Sequence, residues 1–209
     1  MKLFCILLAT FFFTVGSSES ILTCLHDANI PSRWVDMSRS CTKGLEEQLH
    51  KEIQASRTYL AMGAQFAEYS YNRLGFSEFF FKAANEEREH GIKILEYLLM
   101  RGESAVDFNS LMNMLMDPVS ASWSNGLTAL TSALDLETNV TRSIHKVIHT
   151  CEEDSKFNDY HLVDYLTTEF LDEQYKGQRD LAGKISTLSK MNYELGEFLF
   201  DKRLLKGEV

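Results

Sequence analysis

Phe80-Phe81-Lys82-Ala83-Ala84-Asn85-Glu86-Glu87-Arg88-Glu89-His90-Gly91-Ile92-Lys93-Ile94-Leu95-Glu96-Tyr97-Leu98 is the stretch that decides the fold. Its Phe80, Ala84, Glu87, Gly91, Ile94 and Leu98 recur at steps of three and four, the spacing that lines up one face of an α-helix. One member of that stripe is out of character. Glu87 stands where an apolar residue is due, and His90 follows it by three residues on a neighbouring part of the same face.

The pattern extends outward in both directions. A second helix is predicted from Phe76 to Arg101, stopped by Gly102. Before it, a first helix from Ser38 to Ala67 carries Leu45, Leu49, Ser56, Tyr59, Gly63 and Phe66 on one stripe. A third begins near Ser124, with Leu127, Leu130, Leu134, Glu137, Thr141, Ile144 and Ile148, and ends in the polar stretch Glu152 to Asn158. A fourth runs from Asp159 to Met191 through Val163, Leu166, Phe170, Gln174, Gly177, Leu181, Ile185 and Leu188. A short fifth helix follows, from Glu194 to Leu205. No alternating strand pattern of useful length is present, and neither of the two prolines, Pro31 and Pro118, falls within these helices. The chain is therefore all-α, a four-helix bundle with nearly antiparallel packing. Glu103 to Trp123 lacks clear periodicity and is long enough to run the height of the bundle. That makes available an up-up-down-down order with one long crossover, the third helix starting at the same end as the second and running opposite to the first. The apolar cluster Leu111, Met112, Met114, Leu115 and Met116 is expected to pack on the bundle or on a neighbouring subunit.

Composition narrows the function. The 209 residues carry 21 Lys and Arg against 30 Asp and Glu, a net charge of −9 that repels nucleic acid. At 44% hydrophobic residues the chain can bury a sizeable core. Met1 to Ser20 read as a cleaved signal peptide: Lys2, an apolar run from Leu3 to Val15 too short to span a bilayer, then Gly16, Ser17 and Ser18. Residues 21–37 form an N-terminal extension and 38–209 the helical domain. With no second membrane-spanning candidate, and with Lys206-Gly207-Glu208-Val209 unlike the usual retention signal, the expected destination is the secretory pathway and the exterior, without a membrane partner.

The register of the stripes points to a metal. Glu52 falls between Leu49 and Ser56, Glu87 between Ala84 and Gly91, Glu137 between Leu134 and Thr141, and Gln174 between Phe170 and Gly177. Each helix thus turns one polar side chain inward near its middle. Several uncompensated carboxylates in an apolar interior would cost several kcal/mol apiece, and a bound cation resolves the conflict. Glu87 and His90 form the Glu-x-x-His arrangement of di-metal bundles, and oxygen-rich ligation with one imidazole suits ferrous iron, manganese or, less well, zinc. Taken alone, Glu86 to His90 could be a solvated outer face with helical ion pairs; the same feature on all four helices argues against that. The site is asymmetric, because no histidine follows Gln174, which disfavours a di-metal oxygenase acting on an organic substrate. Glu52, Glu87 and His90 are expected to hold one metal, and Glu87 with Glu137 a second, more weakly.

At these residues the sequence resembles the ferritin family, in its secreted insect-type heavy-chain form. The stretches Glu52-Ile53-Gln54-Ala55-Ser56 with Tyr59, Glu86-Glu87-Arg88-Glu89-His90, Leu136-Glu137-Thr138-Asn139-Val140, Asp172-Glu173-Gln174-Tyr175 and Leu199-Phe200-Asp201-Lys202 stand in family order and spacing. The resemblance implies that Glu52, Glu87, His90 and Glu137 ligate a di-iron ferroxidase centre, that Tyr59 is a hydrogen-bonding partner beyond the ligands, and that Gln174 orients water or dioxygen. The implied activity is oxidation of ferrous iron by dioxygen and deposition of a ferric oxyhydroxide mineral in a hollow 24-subunit shell, mixed with light chains. The rival is a noncatalytic storage or transport subunit relying on a partner chain, which the complete residue set disfavours. Glu86 and Glu89 match cavity residues, but the third acidic position is Ile92. Asp164 matches one three-fold channel carboxylate, with Thr167 in place of the other. Leu195 and Leu199 match apolar four-fold channel residues, with Arg203 beside them.

Once Cys5 leaves with the signal peptide, Cys24, Cys41 and Cys151 remain in an oxidising compartment. In the proposed order the first helix starts where the third ends, so a Cys41 to Cys151 bridge is predicted, leaving Cys24 for an interchain link. Asn139-Val140-Thr141 fits the glycosylation pattern but lies on a long helix whose next turn is core, so it is expected to stay unmodified.

Overall fold

Several helix ends carry a recognisable local signal. The computed structural model describes residues 31, 34, 36–103, 122–154, 157–191 and 193–209. Helix α1, Arg39–Ala67, is capped by Ser38, whose hydroxyl accepts from the Cys41 backbone N–H at 3.4 Å. Residues 68–73 turn the chain, with Asn72 in the left-handed region at φ 49°. Helix α2, Leu74–Met100, ends in a Schellman motif. There Gly102 takes φ 82°, Glu103 N–H donates to the Leu98 carbonyl at 3.0 Å, and Gly102 N–H donates to the Leu99 carbonyl at 3.1 Å. Helix α3, Gly126–Glu152, opens with a capping box between Asn125 and Thr128. Helix α4 covers 160–188 and has three parts: Tyr160–Leu166, a π-helical turn Thr167–Leu171, and Asp172–Leu188. Helix α5 is Tyr193–Leu205.

The links between helix ends establish their directions. Cys41 and Cys151 form the predicted disulfide, with Cα atoms 5.4 Å apart, so α3 ends where α1 starts. Asp159 N–H donates to the Cys151 carbonyl at 3.1 Å, which starts α4 at that same end. At the opposite end the Gln65 amide holds the backbone of Trp123 through both its carbonyl and its N–H, at 2.5 and 3.0 Å. The single long crossover therefore lies between α2 and α3 and makes those two parallel. In chain order the helices run up, down, down, up; an up-up start would need a second long connection, where residues 68–73 leave no room for one.

A layer of polar side chains divides the core into two apolar clusters. The cluster at the disulfide end contains Cys41, Leu45, Leu49, Ile94, Leu98, Ile144, Leu162, Leu166 and Phe170. The other contains Tyr59, Phe66, Phe76, Phe80, Leu130, Leu181 and Phe200. Burial of each large side chain contributes roughly 1.5–3 kcal/mol. Helix α5 closes the second cluster by inserting Phe200 and Asp201, both fully buried. Its approach depends on Gly75, where a Cβ would lie 2.0 Å from the Asp201 carbonyl oxygen. The Asp201 carboxylate in turn accepts from the Phe76 backbone N–H at 3.1 Å. Met1 to Ser20, Cys24, the cluster Leu111 to Met116, and Pro118 lie outside the described residues.

Candidate metal centre

The layer between the two clusters is built by one residue from each of α1, α3 and α4 and two from α2. Glu52 is fully buried, and Glu87, His90, Glu137 and Gln174 are buried as well. Glu52, Glu87 and His90 each offer a ligand atom, and those atoms lie within 4.8 Å of one another. The His90 Nδ1 stands 3.5 Å from a Glu87 carboxylate oxygen and 4.0 Å from one of Glu52.

These groups make no hydrogen bonds on their facing sides. Glu52 Oε2, Glu87 Oε2 and His90 Nδ1 are buried without a hydrogen bond. Unpaired buried polar atoms normally cost about 1–3 kcal/mol each, so their convergence fits a cation that would satisfy all three. The outward sides are held. Gln48 Nε2 donates to Glu52 Oε1 at 2.7 Å, and His90 Nε2 lies 3.3 Å from Glu173 Oε2. An imidazole whose far nitrogen meets a carboxylate is a common support for metal ligation.

Glu137 and Gln174 complete the layer without joining the three-ligand group. The Tyr59 hydroxyl donates to Glu137 Oε1. Thr141 Oγ1 lies 2.8 Å from Gln174 Oε1 and 2.8 Å from the Glu137 backbone carbonyl, while Gln178 Nε2 donates to Thr141 Oγ1 at 2.6 Å. A cavity of about 160 Å³ leads outward from the layer, lined among others by Tyr59, Glu86, Glu87, Glu137, Glu173 and Asp180.

The electrostatics are those of carboxyls confined without their cation. Burial, and next the neighbouring Glu87, hold the Glu52 carboxyl well above the usual carboxylate range. Burial, then Glu137, pushes Glu87 up to about 8. Glu137 is also raised by burial, against the opposing donation from Tyr59. The Tyr59 phenol is raised by burial and then by Glu137, so it remains a donor.

The residues expected from the sequence therefore share one layer, and several more belong to it. Gln48 lies four residues before Glu52 on the α1 face, which is the signal that would have found it. Thr141 was already on the third stripe. Glu173 is exposed and off the stripe, so spacing alone could not have chosen it. Gln174 reaches the layer through the π-helical turn: Leu162, Leu166, Phe170 and Gln174 are all buried at successive steps of four, a drift that an ideal α-helix would carry off the face and a wider turn absorbs.

The positions expected at the inner cavity and the channels are half-buried or exposed. Glu86 is half-buried and pairs with Lys82 at 3.0 Å, and Glu89 is exposed. Asp164 and Thr167 are exposed, and the Thr167 hydroxyl donates to the Val163 carbonyl at 2.7 Å. Leu195, Leu199 and Arg203 are exposed on α5. In the glycosylation pattern Asn139 is exposed, but the hydroxyl of Thr141 is buried against Gln174.

Residues 42–191 match the ferritins, whose family is described as the ferritin-like domain. The chain belongs to the ferritin family. This ferritin is 54% identical over 188 residues to the ferritin heavy chain of Trichoplusia ni, an alignment covering 88% of this chain and 89% of that protein. It is 55% identical over 180 residues to the ferritin heavy chain of Drosophila melanogaster, covering 84% and 86%. Its fold superposes on the crystal structure of Trichoplusia ni secreted ferritin with a TM-score of 0.83 at 52% identity, covering 89% of this ferritin and 98% of that chain. Among the described residues no helix is long and apolar enough to cross a membrane.

Proposed function

We propose that this ferritin is the ferroxidase and iron-storage subunit of a secreted shell. Ferrous iron is the substrate. Glu52, Glu87 and His90 hold one ion, and Glu87 with Glu137 holds the second. Two ferrous ions then supply the two electrons that dioxygen takes up. The single observation carrying this reading is the convergence of Glu52 Oε2, Glu87 Oε2 and His90 Nδ1, three buried ligand atoms without a hydrogen bond, in one layer.

The chain's own groups have defined tasks in that reaction. Gln48 turns the Glu52 carboxylate so that its free oxygen faces the site, and Tyr59 does the same for Glu137. Both Glu52 and Glu87 bind protons readily in the absence of metal, so an arriving ion displaces protons and its hold weakens as pH falls. Gln174, fixed by Thr141, presents its amide to water or dioxygen. Glu86 and Glu173 line the cavity through which hydrolysed ferric iron leaves toward the ferric oxyhydroxide mineral. Weak second-site ligation by carboxylates alone permits that departure.

Residues 1–20 act as the signal peptide, 21–37 as an extension carrying Cys24 for an interchain link, and 38–209 as the bundle domain of a 24-subunit shell mixed with light chains. The exposed Leu195 and Leu199 on α5 support burial between subunits. Stopped-flow oxidation of ferrous iron by the parent protein and by the variant carrying Glu87→Ala and His90→Ala tests the catalytic reading. The parent should oxidise iron and the variant should lose most of that rate. Equal rates in the two would overturn it in favour of a storage subunit served by a partner chain.

A further inference from the structure

A continuous stack of aromatic rings leaves the metal layer on the disulfide side. His90 meets Phe170 with ring centroids 5.5 Å apart, Phe170 meets Tyr165 at 5.7 Å, Tyr165 meets Tyr97 at 4.4 Å, and Tyr97 meets His161 at 5.7 Å. All four separations lie in the range of direct aromatic contact. The stack begins at a buried ligand, passes two tyrosines and ends at an exposed histidine.

The hydrogen bonds at its far end carry a direction. The Tyr97 oxygen lies 2.9 Å from Arg101 Nη1 and 2.8 Å from His161 Nδ1. A guanidinium can only donate, so the Tyr97 oxygen accepts from Arg101, and its own O–H is free to donate to His161 Nδ1. That requires the His161 tautomer with Nδ1 unprotonated. The Tyr97 phenol is itself buried, and Arg101 is anchored by Asp36 at 2.7 Å and Asp159 at 3.0 Å. A phenol that has lost an electron is a far stronger acid than the neutral phenol. Loss of an electron from Tyr97 must therefore be accompanied by loss of its proton, and the acceptor in place is His161. Tyr165 differs, since its hydroxyl donates to the Lys93 backbone carbonyl at 3.3 Å, which cannot take a proton at neutral pH.

We propose that Tyr165 and Tyr97 form an electron-supply relay to the metal layer, with Tyr97 as the terminal donor and His161 as its proton acceptor. The inference rests on the ferroxidase reading above. Its use arises when a site holding a single ferrous ion meets dioxygen, because that ion supplies one electron and reduction to hydrogen peroxide takes two. The second electron comes from Tyr97 through Tyr165 and Phe170. The Tyr97 O–H bond breaks, its proton moves to His161 Nδ1, and a neutral tyrosyl radical remains. Dioxygen takes two protons from solvent and leaves as hydrogen peroxide, and one ferrous ion becomes ferric. The opposite stack, Tyr59 with Phe80, Phe66 and Tyr71, also reaches a second tyrosine, so the choice of Tyr97 as terminus rests on its 2.8 Å contact with His161.

Rapid-freeze electron paramagnetic resonance tests the relay on the assembled protein loaded anaerobically with one ferrous ion per chain and then mixed with oxygenated buffer. The parent should give a tyrosyl signal, and Tyr97→Phe, which keeps the ring and its stacking, should lose it. Tyr165→Phe should delay its appearance, and His161→Gln should slow it and abolish its solvent-deuterium effect. Stopped-flow oxidation at two ferrous ions per chain is followed in parallel. A parent that oxidises iron yet gives the same radical signal as Tyr97→Phe, or none, overturns the relay and leaves the ferroxidase reading standing. A parent that oxidises no iron overturns both.

Discussion

The two halves of the bundle on either side of the metal layer are assembled from different materials. Toward α5, Phe66, Phe76, Phe80 and Phe200 stack on one another and are fully buried, with the Tyr59 hydroxyl turned to Glu137 and Tyr71 set edge-on against Phe66. Toward the disulfide, aliphatic residues and Cys41–Cys151 form the interior, and Tyr97, Tyr165, Arg101, Asp159 and His161 form a hydrogen-bonded and stacked margin. The first half is held by ring packing, by the insertion of α5 and by the polar contacts of Asp201 with Phe76 N–H and of Glu197 with Arg73 and Gly126 N–H. The second is held by covalent and charge-assisted links among helix ends. The contrast teaches that a polar layer costing stability at mid-height needs a firm anchor on each side, and that the two anchors need not share a chemistry.

The largest expected effect breaks the aromatic half. Phe66→Ala should lower the free energy of unfolding by about 3–5 kcal/mol, because the ring is fully buried among rigid neighbours that cannot collapse onto the space. Guanidinium unfolding of the variant and parent would check it. A loss under about 1 kcal/mol would mean that this half is more plastic than its stacking indicates.

Next in size is the disulfide half. The bridge spans a sequence separation of 110, so replacing Cys41 and Cys151 together by serine should cost about 2–5 kcal/mol. Calorimetric melting under nonreducing conditions measures this. If the loss is confined to local opening, hydrogen exchange should quicken at the start of α1 and the end of α3 and leave the phenylalanine half protected.

A smaller effect sharpens the role of the layer itself. Glu87 is raised to about 8 in the folded chain and Glu52 is raised as well. Between the ordinary carboxylate value and about pH 8 the native state therefore holds more protons than the unfolded state, so metal-free stability should fall as pH rises through that window. Melting temperatures at about pH 5 and about pH 8 would show the decline, and Glu87→Gln should flatten it. Zinc, which cannot be oxidised, should restore stability at the higher pH with release of protons. A metal-free profile that is flat or rises would contradict the assignment.

The smallest effect concerns one helix end. Asn125→Ala removes the side-chain acceptor of the Thr128 N–H at the start of α3 and should cost about 1 kcal/mol, read from the same denaturant curves.

Much of this molecule was legible before its coordinates. Glu87 and His90 sit three apart on one stripe, and that spacing alone places both on one helix face whatever surrounds them. Glu52, Glu137 and Gln174 were identifiable because each interrupts an apolar stripe near its middle. The disulfide followed from the crossover length, which places the end of the third helix beside the start of the first. Glu173 and the Arg101 network were not legible, because they lie off the stripes and acquire meaning through contacts across helices. The π-helical turn was hidden for a related reason: periodicity analysis assumes one helical pitch, and the steps of four from Leu162 to Gln174 fit that pitch too loosely to reveal a wider turn.

By itself, the sequence determined what depends on local spacing. It specified the helices of the bundle, their polar interruptions and the ligand types available to a cation, because these follow from side-chain chemistry and the pitch of the backbone. The tertiary structure decided the rest. It ran the helices up, down, down, up, left Glu52 Oε2, Glu87 Oε2 and His90 Nδ1 facing one another without hydrogen bonds, and stacked Phe170, Tyr165 and Tyr97 into a path away from His90. Those outcomes depend on which faces meet and how closely, and packing distances between helices are set only when all of them are in place.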